Sequence, residues 1–216
     1  VATKAEQEKK KNGGKPTAEE GAAKAIVLTR IRRELIEVEI QGITPVIPHK
    51  WSEKAKRQML DKQQNKTTQR KEAKDPAAEA EAATYWLPEG VPGIPATAFK
   101  AAIADAARYF DNVTITMLKQ AVFVLGEGPE QLVPLAGEIT MREDTPRNAS
   151  GVADLRYRNQ VWPWSALLRI DYIPSMLTAE SVVALADAAG NGGVGDWRPS
   201  APKSKTGTFG RWQVIT

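Results

Sequence analysis

Cysteine is absent from the 216 residues, and histidine occurs once, at position 49. Disulfides and thiolate metal sites are therefore excluded, as is a centre built from several histidines. No metal and no cofactor is expected, and the missing cysteines suit a reducing, cytoplasmic setting. No apolar run reaches the ~18 residues of a membrane span, and the amino-terminal stretch opens on charges rather than on an export signal, so no membrane partner is expected. Acid is lacking too, but locally: after Asp196 no Asp or Glu occurs.

What is abundant is positive charge in one place. The whole chain carries only +4. Between Lys50 and Lys74, however, nine basic residues face three acidic ones, so that segment holds +6 and the remainder −2. Such a block attracts a polyanion whatever the average says.

Residues 1–24 are polar and low in complexity, and read as a flexible tail ahead of a single domain over 26–216. In "ELIEVEIQGITPVI" (34–47) Ile36, Val38 and Ile40 alternate with Glu37, Glu39 and Gln41, the pattern of a half-buried strand. The basic insertion at 50–80 follows. Ser52 can cap a helix from Glu53, whose apolar stripe (Ala55, Met59, Leu60) is too thin for a core, and the Ala/Glu run after Pro76 reads as another helix or a linker. After the strand-like "TYWLPEG", Pro95 suits the first turn of a helix whose face carries Phe99, Ala102, Ile103, Ala106 and Phe110. From Val113 the runs "VTITMLKQAVFVLGEG", "QLVPLAGEITMRED", "ADLRYRN" and "WSALLRIDYI" read as strands with a β-hairpin excursion. Thr178 caps a second alanine-rich helix. A glycine-rich loop (190–211) and a final strand, "FGRWQVIT", close the chain. Stripped of insertions the order is β-α-β-β-α-β, an α+β, ferredoxin-like pattern.

In the loop "GNGGVGDWRPSAPKSKTGTFGRW", Gly190 reads as a helix stop with positive φ. Gly192, Gly193 and Gly195 read either as a plain surface loop or as backbone that approaches a phosphate chain closely.

The segment Ile94–Ile103, "IPATAFKAAI", resembles the "IPGSSLKGAL" segment of the RAMP superfamily of CRISPR-associated proteins. Ile94, Pro95, Lys100 and Ala102 match, Thr97 stands for a serine, and Phe99 and Ile103 stand for leucines. Ala96 and Ala101 replace glycines, and Ala104 sits where the family often has arginine. The glycine-rich loop before the last strand resembles the family's other signature. The resemblance spans roughly residues 33–216. It implies an RNA-recognition-like core that binds a nucleic-acid backbone, subunits stacked along that strand, and a thumb role for the insertion. A stand-alone or virus-encoded relative fits as well as a subunit partnered by other CRISPR-type proteins.

Basic side chains among aromatics suit single strands, because cations track phosphates and rings stack on bases. The candidates are Lys50, Trp51, Lys54, Lys56, Arg57, Lys62, Lys66, Arg70 and Lys71 in the insertion, and Trp197, Arg198, Lys203, Lys205 and Arg211 in the loop. Phe209 is a further stacking candidate, whereas Trp212, within a strand, reads as core. Lys100 is either a phosphate contact at a helix amino terminus or an exposed helix charge. Arg156, Arg158 and Arg169 either line a groove or pair with Asp154 and Asp171. His49 is the weak candidate for a metal-independent ribonuclease, and Asp61 a weaker one. The leading expectation is a non-enzymatic protein that binds single-stranded RNA or DNA and multimerises along it. The alternatives are an endoribonuclease using His49, and a structural or inhibitory protein that joins a CRISPR-type complex.

Overall fold

The computed structural model describes residues 28–51, 53–64, 75–146, 153–202 and 205–215. By its contacts the chain divides after Ile31, and Arg32–Thr216 forms one unit. Of the first unit only residues 28–31 are described, exposed and without regular structure.

Strand β1 (Glu34–Gly42) buries Val38 and Ile40 and exposes Glu37, Glu39 and Gln41, as the alternation predicts. It ends at Gly42, five residues before the predicted limit, and Val46 forms an isolated bridge with Val161. Two helices lie in the insertion: α1 (Glu53–Gln63), and α2 (Pro76–Ala82), capped by the Asp75 carboxylate on the amide of Ala78 at 3.2 Å. Strands β2 (Tyr85–Trp86), β3 (Pro92–Pro95) and β5 (Leu132–Pro134) make a small three-stranded sheet. Helix α3 (Ala96–Asp105) starts one residue later than expected, with Pro95 as its N-cap residue. It loosens into a 3-10 turn at Ala106, so Phe110 leaves the predicted apolar face and is exposed.

Helix α4 (Ile115–Ala121) corrects the reading of 113–121 as strand. Thr114 Oγ1 accepts from the amide of Met117 and starts a helix that β-branched Thr and Ile had disguised. Strand β4 (Val122–Leu125) follows. The hairpin excursion is β6 (Ala136–Asp144) with the first half of β7 (Arg156–Tyr172), a 17-residue strand that merges two of the expected ones. Helix α5 (Ala179–Ala189) is capped by Thr178, and β8 (Trp212–Val214) closes the chain.

The main sheet runs β4-β7-β1-β8, all antiparallel, with β6 added to β7. Taken as β1-α3-β4-β7-α5-β8, this is the ferredoxin-like order expected. Phe99 and Ile103 of α3 and Val182 and Leu185 of α5 share one core with Ile40, Leu168 and Ile170 of the sheet. Each such side chain contributes roughly 1.5–3 kcal/mol by burial. Trp212 belongs to that core: 2% exposed, it lies edge-on to Phe99 and donates to the Ala186 carbonyl at 3.0 Å. No helix among the described residues is long and apolar enough to cross a membrane.

Candidate nucleic-acid interface

The glycine loop connects α5 to β8 and folds back onto the chain that follows β1. The amide of Asp196 donates to the Ile47 carbonyl at 2.9 Å and that of Gly210 to Pro45 at 2.7 Å. Gly190 is in ordinary helical conformation (φ −57°), not the positive φ expected of a helix stop. Its lack of a side chain is needed because the Trp212 carbonyl oxygen lies 2.0 Å from where a β-carbon would stand. Gly195 combines φ +77° with the Ile47 oxygen 2.5 Å from its absent β-carbon, and Gly193 meets the Phe209 oxygen at 2.8 Å in the same way. The close approach read from the sequence therefore exists, but at these positions it is to the protein's own backbone. Gly192, with ordinary van der Waals space around it, is the exception.

Between this loop and the start of α3 opens a cleft of about 490 Å³, lined by His49, Tyr85, Thr97, Asp105, Asp196 and Arg198 among others. No side chain caps α3, so the positive end of its backbone dipole faces the cleft at Thr97 and Ala98. His49 Nδ1 sits 3.1 Å from Asp196 Oδ2. The same oxygen ion-pairs with Arg158, while Asp196 Oδ1 accepts from the Trp197 amide at 3.1 Å. Burial would raise the Asp196 pKa. The His49 hydrogen bond, the charges of Arg158 and His49, and the Trp197 amide outweigh it and hold the group at about 2. Arg158 is only 3% exposed, and burial pulls its pKa down against the pull of Asp196. Neither terminal nitrogen makes an aligned hydrogen bond among the described residues. The ion pair with Asp196 replaces both readings offered for this arginine, an open groove or pairing with Asp154 or Asp171.

Beside the cleft, Trp197 takes a left-handed φ of +54°, uncommon for a bulky residue. Its ring meets Phe209 edge-on at 5.9 Å, and the Arg142 guanidinium lies 4.7 Å from the Phe209 centroid and 5.4 Å from that of Trp197. Asp144 and Gln160 hold that guanidinium in place, at 2.6–3.0 Å.

The other candidates are spread more widely. Trp51 is 50% exposed, two residues beyond His49. Lys50 is engaged by Glu130 at 3.0 Å and lies over the Tyr85 ring, and Lys56 by Glu53 at 2.6 Å. Arg57 is exposed on α1, and Asp61 is half-buried there. No cluster of metal-ligating side chains occurs among the described residues. Arg198 donates to the Gly195 carbonyl at 2.9 Å, Arg211 reaches Asn191 at 3.4 Å, and Lys205 is exposed. The side chains of Lys54 and Lys62, and all of Lys66, Arg70, Lys71 and Lys203, lie outside the described residues.

Lys100 is half-buried rather than an exposed helix charge. Its ammonium sits 3.6 Å from the Phe123 centroid, and burial first, then Arg33, lowers its pKa. Arg156 pairs with Asp154 at 3.2 Å as one reading had it. Arg169 instead lies 3.8 Å from Glu37, its cross-strand partner on β1, while Arg33 pairs with Asp171 at 2.8 Å. Sequence reasoning missed Arg142 and the Asp196–His49 pair. The one usable signal was that Asp196 is the only acid in the glycine loop.

No protein-family model matches the chain, and no curated protein matches it by sequence. Among solved structures, a chain of type III-B Cmr-beta, imaged by cryo-EM bound to cognate target RNA, overlays 85% of this protein at 11% identity with a TM-score of 0.53. The fold is that of this Cmr-beta chain. This protein spans 59% of that longer chain. Cmr6 from Pyrococcus furiosus aligns over 86% of this chain and 100% of its own, at 11% identity and a TM-score of 0.42, too loose an overlay to argue from.

Proposed function

We propose that this RAMP-like protein binds single-stranded RNA through its backbone, as a non-enzymatic component of a CRISPR-type assembly, and multimerises along the strand. The observation that carries the reading is the cleft between the uncapped start of α3 and the glycine loop, with Arg198 and His49 on its walls. Helix dipole and the Arg198 guanidinium favour an anion there, set against the Asp105 and Asp196 carboxylates on the same walls. Trp51, two residues beyond His49, and then the exposed Arg57 of α1 follow in the chain, so a strand leaving the cleft would meet an exposed ring and then a cation. RNA is preferred over DNA because the Cmr-beta structure that holds the chain of like fold was imaged bound to cognate target RNA. A labelled 30-nucleotide RNA should shift on a native gel without being cut, and competing DNA of the same sequence should displace it less well. No shift in low salt would overturn the proposal.

One observation favours a second reading, a metal-independent endoribonuclease. With Nδ1 held by Asp196, the His49 ring is oriented and its Nε2 is left for proton transfer in the cleft. Cleavage of the same RNA in EDTA, abolished by His49→Ala, would establish it.

A further inference from the structure

Strand β6 is a long edge of the main sheet. It pairs with β7 on one side, and among the described residues no backbone group on its other side bonds to a neighbouring segment. Ala136 to Met141 are all exposed, Ile139 at 39% and Met141 at 54%. It carries no proline and no lysine, two of the usual devices that keep a free edge from pairing with another chain.

Its charges, together with an irregularity between Gly137 and Ile139, restrict what can pair with it. Laid antiparallel on a second copy with Thr140 opposite Thr140, "EITMR" (138–142) complements itself. Glu138 then faces Arg142 of the other copy twice over, and Ile139 faces Met141 twice over. Moving the centre to Met141 puts Glu138 opposite Asp144 and Ile139 opposite Glu143, so register is selected by charge. Arg142 can take the extra partner, since Asp144 and Gln160 use three of its five N–H donors. A groove of about 770 Å³ adjoins the edge, lined by Gly137, Ile139, Pro134, Leu135, Ala166 and Leu167. In the Thr140-centred register the partner's Met141 lies opposite Ile139, at that groove, and can fill it.

We propose that β6 is the docking edge for a second copy of this chain, joined as a continuous antiparallel sheet about a two-fold axis at Thr140. Such a contact is isologous and closes at two subunits, unlike stacking along a strand. It needs no nucleic acid, so it stands or falls separately from RNA binding.

The absence of cysteine makes the test clean. Thr140→Cys places a lone thiol on the axis, where antiparallel neighbours are ~4.5–5.5 Å apart at Cα, within disulfide reach. Glu143→Cys places it six residues from its counterpart, on the order of 20 Å. Under mild oxidation without RNA, the T140C protein should become a covalent dimer and the E143C protein should form no covalent cross-link. Sedimentation equilibrium of the unmodified protein should show a dimer. Glu138→Arg, which sets like charges opposite one another, should weaken it about tenfold with an unchanged thermal midpoint. A protein monomeric at about 100 μM, equal cross-linking at both positions, or a Glu138→Arg protein that dimerises as tightly would each overturn the proposal.

Discussion

Asp196 Oδ2 lies 3.1 Å from His49 Nδ1 and at the same time ion-pairs with Arg158, so one carboxylate oxygen ties the glycine loop to both the chain after β1 and the β6–β7 hairpin. Its pKa, lowered from 3.8 to about 2, makes the tie pH-dependent. A depressed carboxylate stabilises fully above its unfolded value, and the contribution is lost as pH falls through the folded one.

Asp196→Asn should therefore destabilise the protein by about 3 kcal/mol at pH 7, counting the buried Arg158 left without a charge partner. At roughly 2–4 °C per kcal/mol the thermal midpoint should drop by about 6–12 °C. The gap to the unmodified protein should narrow as pH falls from about 4 to about 2. Melting curves across that range check it, and a constant gap would show that the carboxylate charge is not the source.

Gly195→Ala should destabilise by about 1–3 kcal/mol, because φ +77° and an oxygen 2.5 Å away leave no place for a methyl group. Gly192→Ala should leave the midpoint within about a degree. For the Gly193→Val, Gly195→Val pair the geometry demands a loss of stability. RNA affinity of that pair is informative only where the protein is still folded.

Two tryptophans should behave oppositely. Trp51→Ala should cost about 1–3 kcal/mol in RNA affinity through lost stacking and leave stability unchanged, since the ring is half exposed. Trp212→Ala should cost about 3–5 kcal/mol of stability, since the ring is core. Filter binding and thermal melts on both variants separate the roles.

The basic insertion should govern salt dependence. Five phosphate contacts would give a log–log slope near −3.5, at about −0.7 each. Reversing Lys54, Arg57, Lys62 and Arg70 to glutamate should flatten the slope and lower affinity at least tenfold in a protein that still folds. An unchanged slope would assign the block to a protein partner instead.

Local rules made the ferredoxin-like order legible. Val38 and Ile40 carry the period of two, Phe99, Ala102 and Ile103 the period of a helix, and Thr178 caps α5. They failed where a local signal was ambiguous: Thr114 and Ile115 look like strand but start α4. The site was less legible because its parts are joined by the fold. Arg142 and Trp197 are 55 residues apart, and Arg158 meets Asp196 only because the glycine loop closes onto the hairpin. Glycine content signalled a crowded backbone without saying whose backbone does the crowding.

Strand β7 is one strand of 17 residues, on the order of 55 Å, with an irregularity in its ladder to β6 between Gly137 and Ile139. Its first part carries β6 and its last part lies between β1 and β4, and Ser165 is paired with Ala136 on one edge and Gln41 on the other. The hairpin is thus a cantilever clamped inside the core sheet rather than an arm on a hinge. Torque applied at its free end, by RNA or by a second subunit, passes into the ladder at Ser165 and must strain the same sheet that α3 and the cleft are mounted on.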